Sequence, residues 1–196
     1  MRTIAFIIAI FLSLSLSGQK WERLTQKFNL HSENAQFSEA LGDALKALHY
    51  SRRKLDSTDV RFMLSYYNVA LAYHGLMELE MAKMNIIMAY RLILPFFAYD
   101  PDHAEVCELY GRIETELGYH QTAASLLSSA REINLEVFGK ESYEYTRSLY
   151  FMAELEMARS QWDQMAILLE EALDIHERNF LKDQDFARYA NFLGLI

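Results

Sequence analysis

Two registers of small residues run through the chain, and they limit its fold more than any other feature. Ala47, Ala89, Ala130 and Ala172 stand 42, 41 and 42 residues apart, and Ala40, Ala82, Ala123 and Met165 keep the same steps. Apolar residues around them recur at helical spacing rather than in strand alternation. The pattern is clearest from Leu149 to Ile175. There Leu149, Met152, Ala153 and Leu155 precede a polar break at Arg159-Ser160-Gln161, and Met165, Leu168, Leu169, Ala172 and Leu173 follow it. A third set, Ala70, Gly111 and Ala153, falls on the first helix of each unit. Antiparallel helices packed ~8–10 Å apart need short side chains where their backbones come closest. Four copies of an amphipathic helix pair are therefore expected, forming an all-α chain.

In order, Trp21, Leu24 and Phe28 mark a first helix, and Phe37, Ala40, Leu41, Ala44, Leu45 and Leu48 a second. Ser57-Thr58-Asp59 offers N-cap oxygens to the next. That helix carries Phe62, Tyr66, Val69, Ala70 and Tyr73, breaks near Gly75, and leads to Met81, Ala82, Ile86 and Ala89. The stretch from Pro95 to His103 reads as a loop, because proline disfavours helix in the residue before it. The third pair holds Val106, Tyr110, Gly111 and Ile113, breaks near Gly118, and resumes with Ala123, Leu126, Leu127, Ala130 and Ile133. Gly139 is placed as a helix stop, where positive φ costs glycine little. A last helix starts near Asp185. Met77, Met81, Met84 and Met88 are expected as core filler, and Cys107 as a small buried hydrophobe.

Residues 1–18 fall outside this pattern. Arg2, the apolar run Ile4 to Leu12 and the small residues Ser13 to Gly18 make a secretory signal peptide. The run is shorter than the ~20 residues a membrane span needs. Ser15 and Ser17 fit a cut before Gly18, and a cut before Gln19 fits as well. An exported chain, periplasmic or secreted, is expected, with its repeat domain over 19–196. The membrane enters only through an uncleaved signal. Acidic residues outnumber basic ones by 27 to 19, and the only basic cluster in sequence is Arg52-Arg53-Lys54. Nucleic acid is therefore not an expected partner.

The small-and-large pattern resembles the tetratricopeptide repeat (TPR), whose usual period is about 34 residues. A step near 42 lengthens each helix by roughly one turn, which resembles the kinesin-light-chain type. Gly139-Lys140-Glu141-Ser142-Tyr143-Glu144-Tyr145 is similar to that type's connector. Trp162-Asp163-Gln164-Met165, with Glu170-Glu171-Ala172-Leu173-Asp174-Ile175, is the best single match. The resemblance implies a right-handed superhelical solenoid of antiparallel helix pairs, with about four repeats and the first helix of a fifth. Phe28 stands where the pattern wants a small residue, and Met165 replaces the usual alanine. HEAT and armadillo arrays share the period but lack the three small positions. The leader-plus-repeat layout also resembles the N-terminal region of exported bacterial CHAT-domain proteins.

No catalytic, cofactor or metal constellation is visible. The six histidines lack paired metal spacing, His176-Glu177 reads as a solvated helix end, and Glu170-Glu171 as a solvated face. The expected function is a non-catalytic scaffold of the cell envelope that binds a protein or peptide partner. In TPRs the first helix of each pair lines the groove. The resemblance thus implies a groove read by Tyr67, Asn68, Leu71 and His74, then by Glu108, Arg112 and Thr115, then by Tyr150, Glu154 and Met157. The apolar end at Leu193-Gly194-Leu195-Ile196 suggests self-association or a longer protein. In a longer protein, the repeats would serve a CHAT-type cysteine peptidase or the sensor region of a histidine kinase.

Overall fold

The computed structural model describes residues 19–56, 58–94, 100–180 and 184–194. The expected leader, Ser57, the segment from Pro95 to Tyr99, and Leu195-Ile196 lie outside the described residues. Among the described residues all regular structure is helical: α1 (19–33), α2 (Phe37–Lys54), α3 (Val60–Gly75), α4 (Leu79–Ile93), α5 (Pro101–Glu116), α6 (His120–Phe138), α7 (Tyr143–Ala158), α8 (Trp162–Asn179) and α9 (Gln184–Phe192). The chain divides at Leu92–Ile93 into two compact units. Helices α1 to α4 make the first and α5 to α9 the second.

Two kinds of helix boundary recur along the chain. The first helices α3, α5 and α7 start at side-chain caps. Asp59 accepts from Arg61 N at 3.0 Å, Asp100 from Asp102 N at 2.9 Å, and Ser142 from Tyr145 N at 3.2 Å. These bonds satisfy amides that have no partner within the helix. The second helices start differently. Before each, one residue takes a left-handed conformation: Ala35 (φ 54°), Met77 (φ 59°), Gly118 (φ 83°) and Ser160 (φ 61°). Their positions repeat the 42, 41 and 42 steps. The amide that follows each turns back five residues, from Gln36 to His31 O, Glu78 to Tyr73 O, Tyr119 to Glu114 O and Gln161 to Glu156 O. This is the Schellman closure, which usually has glycine at the left-handed residue.

Only Gly118 obeys that preference. A side chain there costs roughly 1 kcal/mol against glycine, and Met77 is 68% exposed, so it returns little through burial. Met77→Gly is expected to stabilise the chain by about 1 kcal/mol, whereas Gly118→Ala should destabilise it by a similar amount. Urea midpoints for the two variants, moving in opposite directions, are the check.

The core follows the small-residue register. Ala40, Ala82, Ala123, Ala47, Ala89, Ala130, Ala172, Ala70 and Ala153 are all fully buried. At Gly111 an added Cβ would come within 2.7 Å of Leu127 Cγ. Glycine is therefore needed there for close approach of α5 and α6, not for a turn. Gly75 plays the same part in the first unit, since a Cβ would strike the Phe37 ring at 2.4 Å. Cys107 is fully buried, and that burial pushes its thiol up to about 12. It is a core side chain and not a thiolate at neutral pH.

The structure corrects three expectations. Pro101 to His103 are helical, because Asp100 caps α5 and Pro101 takes the first helical turn, where a missing N–H costs nothing. Met77, Met81, Met84 and Met88 are exposed rather than core, since α4 turns Ala82, Ile86 and Ala89 inward instead. His176 is fully buried. Phe180, Phe186 and Tyr189 close over its ring, with centroids 5.1 to 6.2 Å away.

Candidate peptide-binding site

The residues implied as groove readers separate by burial. In the first unit, Tyr67 and Leu71 on α3 are half-buried, while Asn68 and His74 are buried. In the second, α5 and α7 bring Arg112, Thr115, Glu154 and Met157 together. With Glu116, Phe151 and Ala158 they line one depression of about 330 Å³. Sequence reasoning missed those last three. Their signal was present as helical spacing: Glu116 follows Arg112 by four residues, and Phe151, Glu154 and Ala158 climb one face of α7.

Within the depression the Arg112 guanidinium lies over the Phe151 ring, 4.6 Å from its centroid. Its Nε stands 3.8 Å from Glu154 Oε2, an ion pair too long for a hydrogen bond. Burial raises the Glu154 carboxyl above the ordinary range, and Arg112 and the Tyr150 hydroxyl pull it back down. Met157 is 37% exposed at the rim. Thr115 Oγ1 donates to Gly111 O at 2.9 Å within its own helix, so its lone pairs remain available as acceptors. The arrangement offers an apolar ledge, an aromatic face carrying a cation, and a carboxylate.

Glu108 and Tyr150 do different work. Glu108 is 4% exposed and joins three helices. Its Oε1 accepts from Asn134 Nδ2 of α6 at 3.0 Å and from Ser148 Oγ of α7 at 2.8 Å, and its Oε2 accepts from Arg147 Nε at 2.9 Å and Nη2 at 2.8 Å. Burial raises this carboxyl, and the Arg147 charge opposes the rise. A side chain so enclosed holds the helices together and offers nothing to a ligand. Tyr150, 8% exposed, packs its ring against Phe151, Tyr189 and Phe192. Helix α9 covers the face on which the resemblance had placed it.

A polar contact recurs at one repeat-to-repeat position. Ser51 Oγ lies 2.7 Å from Ser65 Oγ, and Asn134 Nδ2 lies 2.9 Å from Ser148 Oγ, each pair fourteen residues apart. In the first unit Trp21 Nε1 also donates to Ser65 Oγ at 2.8 Å, tying α1 to α3. Buried polar atoms at these packing faces are satisfied by each other, as burial requires. Among the described residues, no group of three His, Cys, Asp or Glu side chains converges as metal ligands.

Helix pairs repeating at about 42 residues, small residues at three contacts and a left-handed closure in every pair define a tetratricopeptide-like repeat fold of the kinesin-light-chain type. Solved structures agree. The chain is similar to BtubC (BKLC) from P. vanneervenii, with a TM-score of 0.76 and 18% identity over 91% of this chain and 72% of that one. It is also similar to two forms of a Podosopora anserina kinesin-light-chain-type protein with nearly identical TPR-like repeats. Each has a TM-score of 0.72 and 18% identity, covering 88% of this chain and 84% of that one. At that identity the likeness establishes the fold. No family model matches the sequence, and no curated protein matches it.

Proposed function

We propose that the chain is a non-catalytic scaffold that binds a protein partner through an extended peptide segment laid across α5 and α7. The observation that carries this reading is the convergence of Arg112, Thr115, Glu154 and Met157 on one depression. Side chains from two successive first helices, placed side by side, are what a bound peptide would cross. Arg112 and Glu154 answer each other's charge, so an apolar ligand side chain on Met157 and Phe151 supplies the main affinity, with polar contacts fixing register. Peptides selected from a displayed random library provide the test. Their affinity is expected to fall at least about tenfold in Met157→Glu, which places a charge on the apolar ledge, and to survive Met84→Glu on α4. Equal loss in both variants, or in neither, would sink the assignment.

The proposed setting is the bacterial cell envelope, which rests on the leader-like composition of residues 1–18. Expressed with its own N-terminus in a Gram-negative host, the chain should appear in the periplasmic fraction, with an intact mass beginning at Gly18 or Gln19. Recovery of the uncleaved chain from the cytosol would overturn it.

A further inference from the structure

We propose a second binding site, a cationic cleft between α1 and α2 that accepts an acidic amphipathic helix of a partner protein. The cleft has a volume of about 740 Å³ and is lined by Lys20, Arg23 and Lys27 from α1 and by Lys46, Arg53 and Lys54 from α2. In sequence these cations are scattered, and only the last two adjoin. The hairpin of α1 and α2 gathers them: Lys20, Arg23 and Lys27 share one face of α1 at helical spacing, opposite the face of α2 that carries Lys46, Arg53 and Lys54.

Asp43 is the single acidic residue of the lining, and it is already engaged by Lys46 Nζ at 2.9 Å and His31 Nδ1 at 3.1 Å. Lys20 Nζ sits 5.5 Å from the centroid of the Tyr50 ring. Arg23, Lys27, Arg53 and Lys54 are exposed and form no ion pair among the described residues. Four uncompensated cations around one cleft are unexpected in a chain of net charge −8. Like charges gathered around one cleft repel, and a complementary anion relieves that repulsion.

The apolar part of the lining selects the kind of anion. Leu24, Leu45 and Tyr50 belong to it, and Leu45 is 43% exposed. A lining that mixes apolar side chains with cations fits a ligand with leucine-like side chains flanked by carboxylates. The cations extend seven residues along α1 and eight along α2, roughly 10–12 Å, or two turns of a docked helix. A recess of this form also suits a helix better than a flat bilayer surface. Residues 1–18 contain no Asp or Glu, so the leader does not supply the complementary charge.

Fluorescence anisotropy with labelled peptides tests the proposal. The first probe is a helix-forming peptide of Leu, Ala and Glu with its glutamates beside its leucines, and the second is the same peptide with Gln for Glu. Expected are saturable binding of the first, at least about tenfold weaker binding of the second, and a similar loss in Arg23→Ala/Lys27→Ala/Arg53→Ala/Lys54→Ala. Raised salt should weaken the interaction, and Leu45→Glu should abolish it. These positions are exposed, and circular dichroism is the control that the variants fold. Met157→Glu should leave this binding intact, which separates failure here from failure of the α5–α7 groove. Equal binding of both peptides, equal binding by the quadruple variant, or binding of phosphatidylglycerol vesicles or single-stranded DNA in place of the acidic peptide would overturn it.

Discussion

Arg147→Ala is expected to destabilise the chain by about 3 kcal/mol at neutral pH, the low end of what breaking a buried ion pair costs. The low end applies because Asn134 and Ser148 still hold Glu108 Oε1 after the guanidinium is gone. What the variant leaves behind is a carboxylate at 4% exposure without its cation. The deficit should depend on pH, and the sign follows from the direction of the Glu108 shift. Burial raises that carboxyl and Arg147 lowers it, so losing Arg147 raises it further. A carboxyl whose folded value exceeds its unfolded value stabilises fully below the unfolded value, and that stability is lost as pH rises through the folded one. The gap between wild type and variant should therefore be widest near neutral pH and shrink as the solution is acidified toward the ordinary carboxylate range. Urea unfolding followed by circular dichroism across that range would show it. A gap that stays constant would mean that Arg147 acts through packing alone.

The second large effect concerns the small-residue register. Ala89→Leu adds three carbons to α4 at a fully buried site, and overpacking of this kind costs ~1–3 kcal/mol. The melting temperature should fall by several degrees. Glu78→Leu, at an exposed position just before the same helix, should stay within about 0.5 kcal/mol of wild type. Calorimetry on both decides the matter, and equal shifts would refute the packing register.

How far the sequence led depended on whether a feature was periodic. The alanines at 47, 89, 130 and 172 mark contacts that backbone approach enforces in every unit, so their spacing alone exposed the helix pairs. Gly118 and the Arg159-Ser160-Gln161 break marked two closures. Ala35 and Met77 did not mark theirs, because neither residue type signals a left-handed backbone. Burial of polar residues was least legible. Glu108 lies on a first helix, as a groove reader would, and its enclosure depends on Asn134 and Arg147, 26 and 39 residues away. His176 stands near the end of α8 and reads as solvated until α9 is seen to fold over it. The methionines of α4 carry helical spacing, but spacing does not say which of two apolar faces turns inward. The cationic cleft was invisible for a similar reason: its charges are dispersed along the chain and meet only when α1 and α2 pair.

The polar contacts between successive helix pairs bear on how freely such units can be exchanged. At Ser51–Ser65 two hydroxyls meet, whereas Asn134–Ser148 closes around a glutamate and an arginine. Grafting the α5–α6 pair beside α3 would bury Glu108 without Arg147, and grafting the α1–α2 pair beside α7 would leave Arg147 without its carboxylate. Each junction thus recognises its own neighbour. A library of shuffled units from this chain would be thinned at the junctions, and the survivors would report which neighbours are chemically compatible.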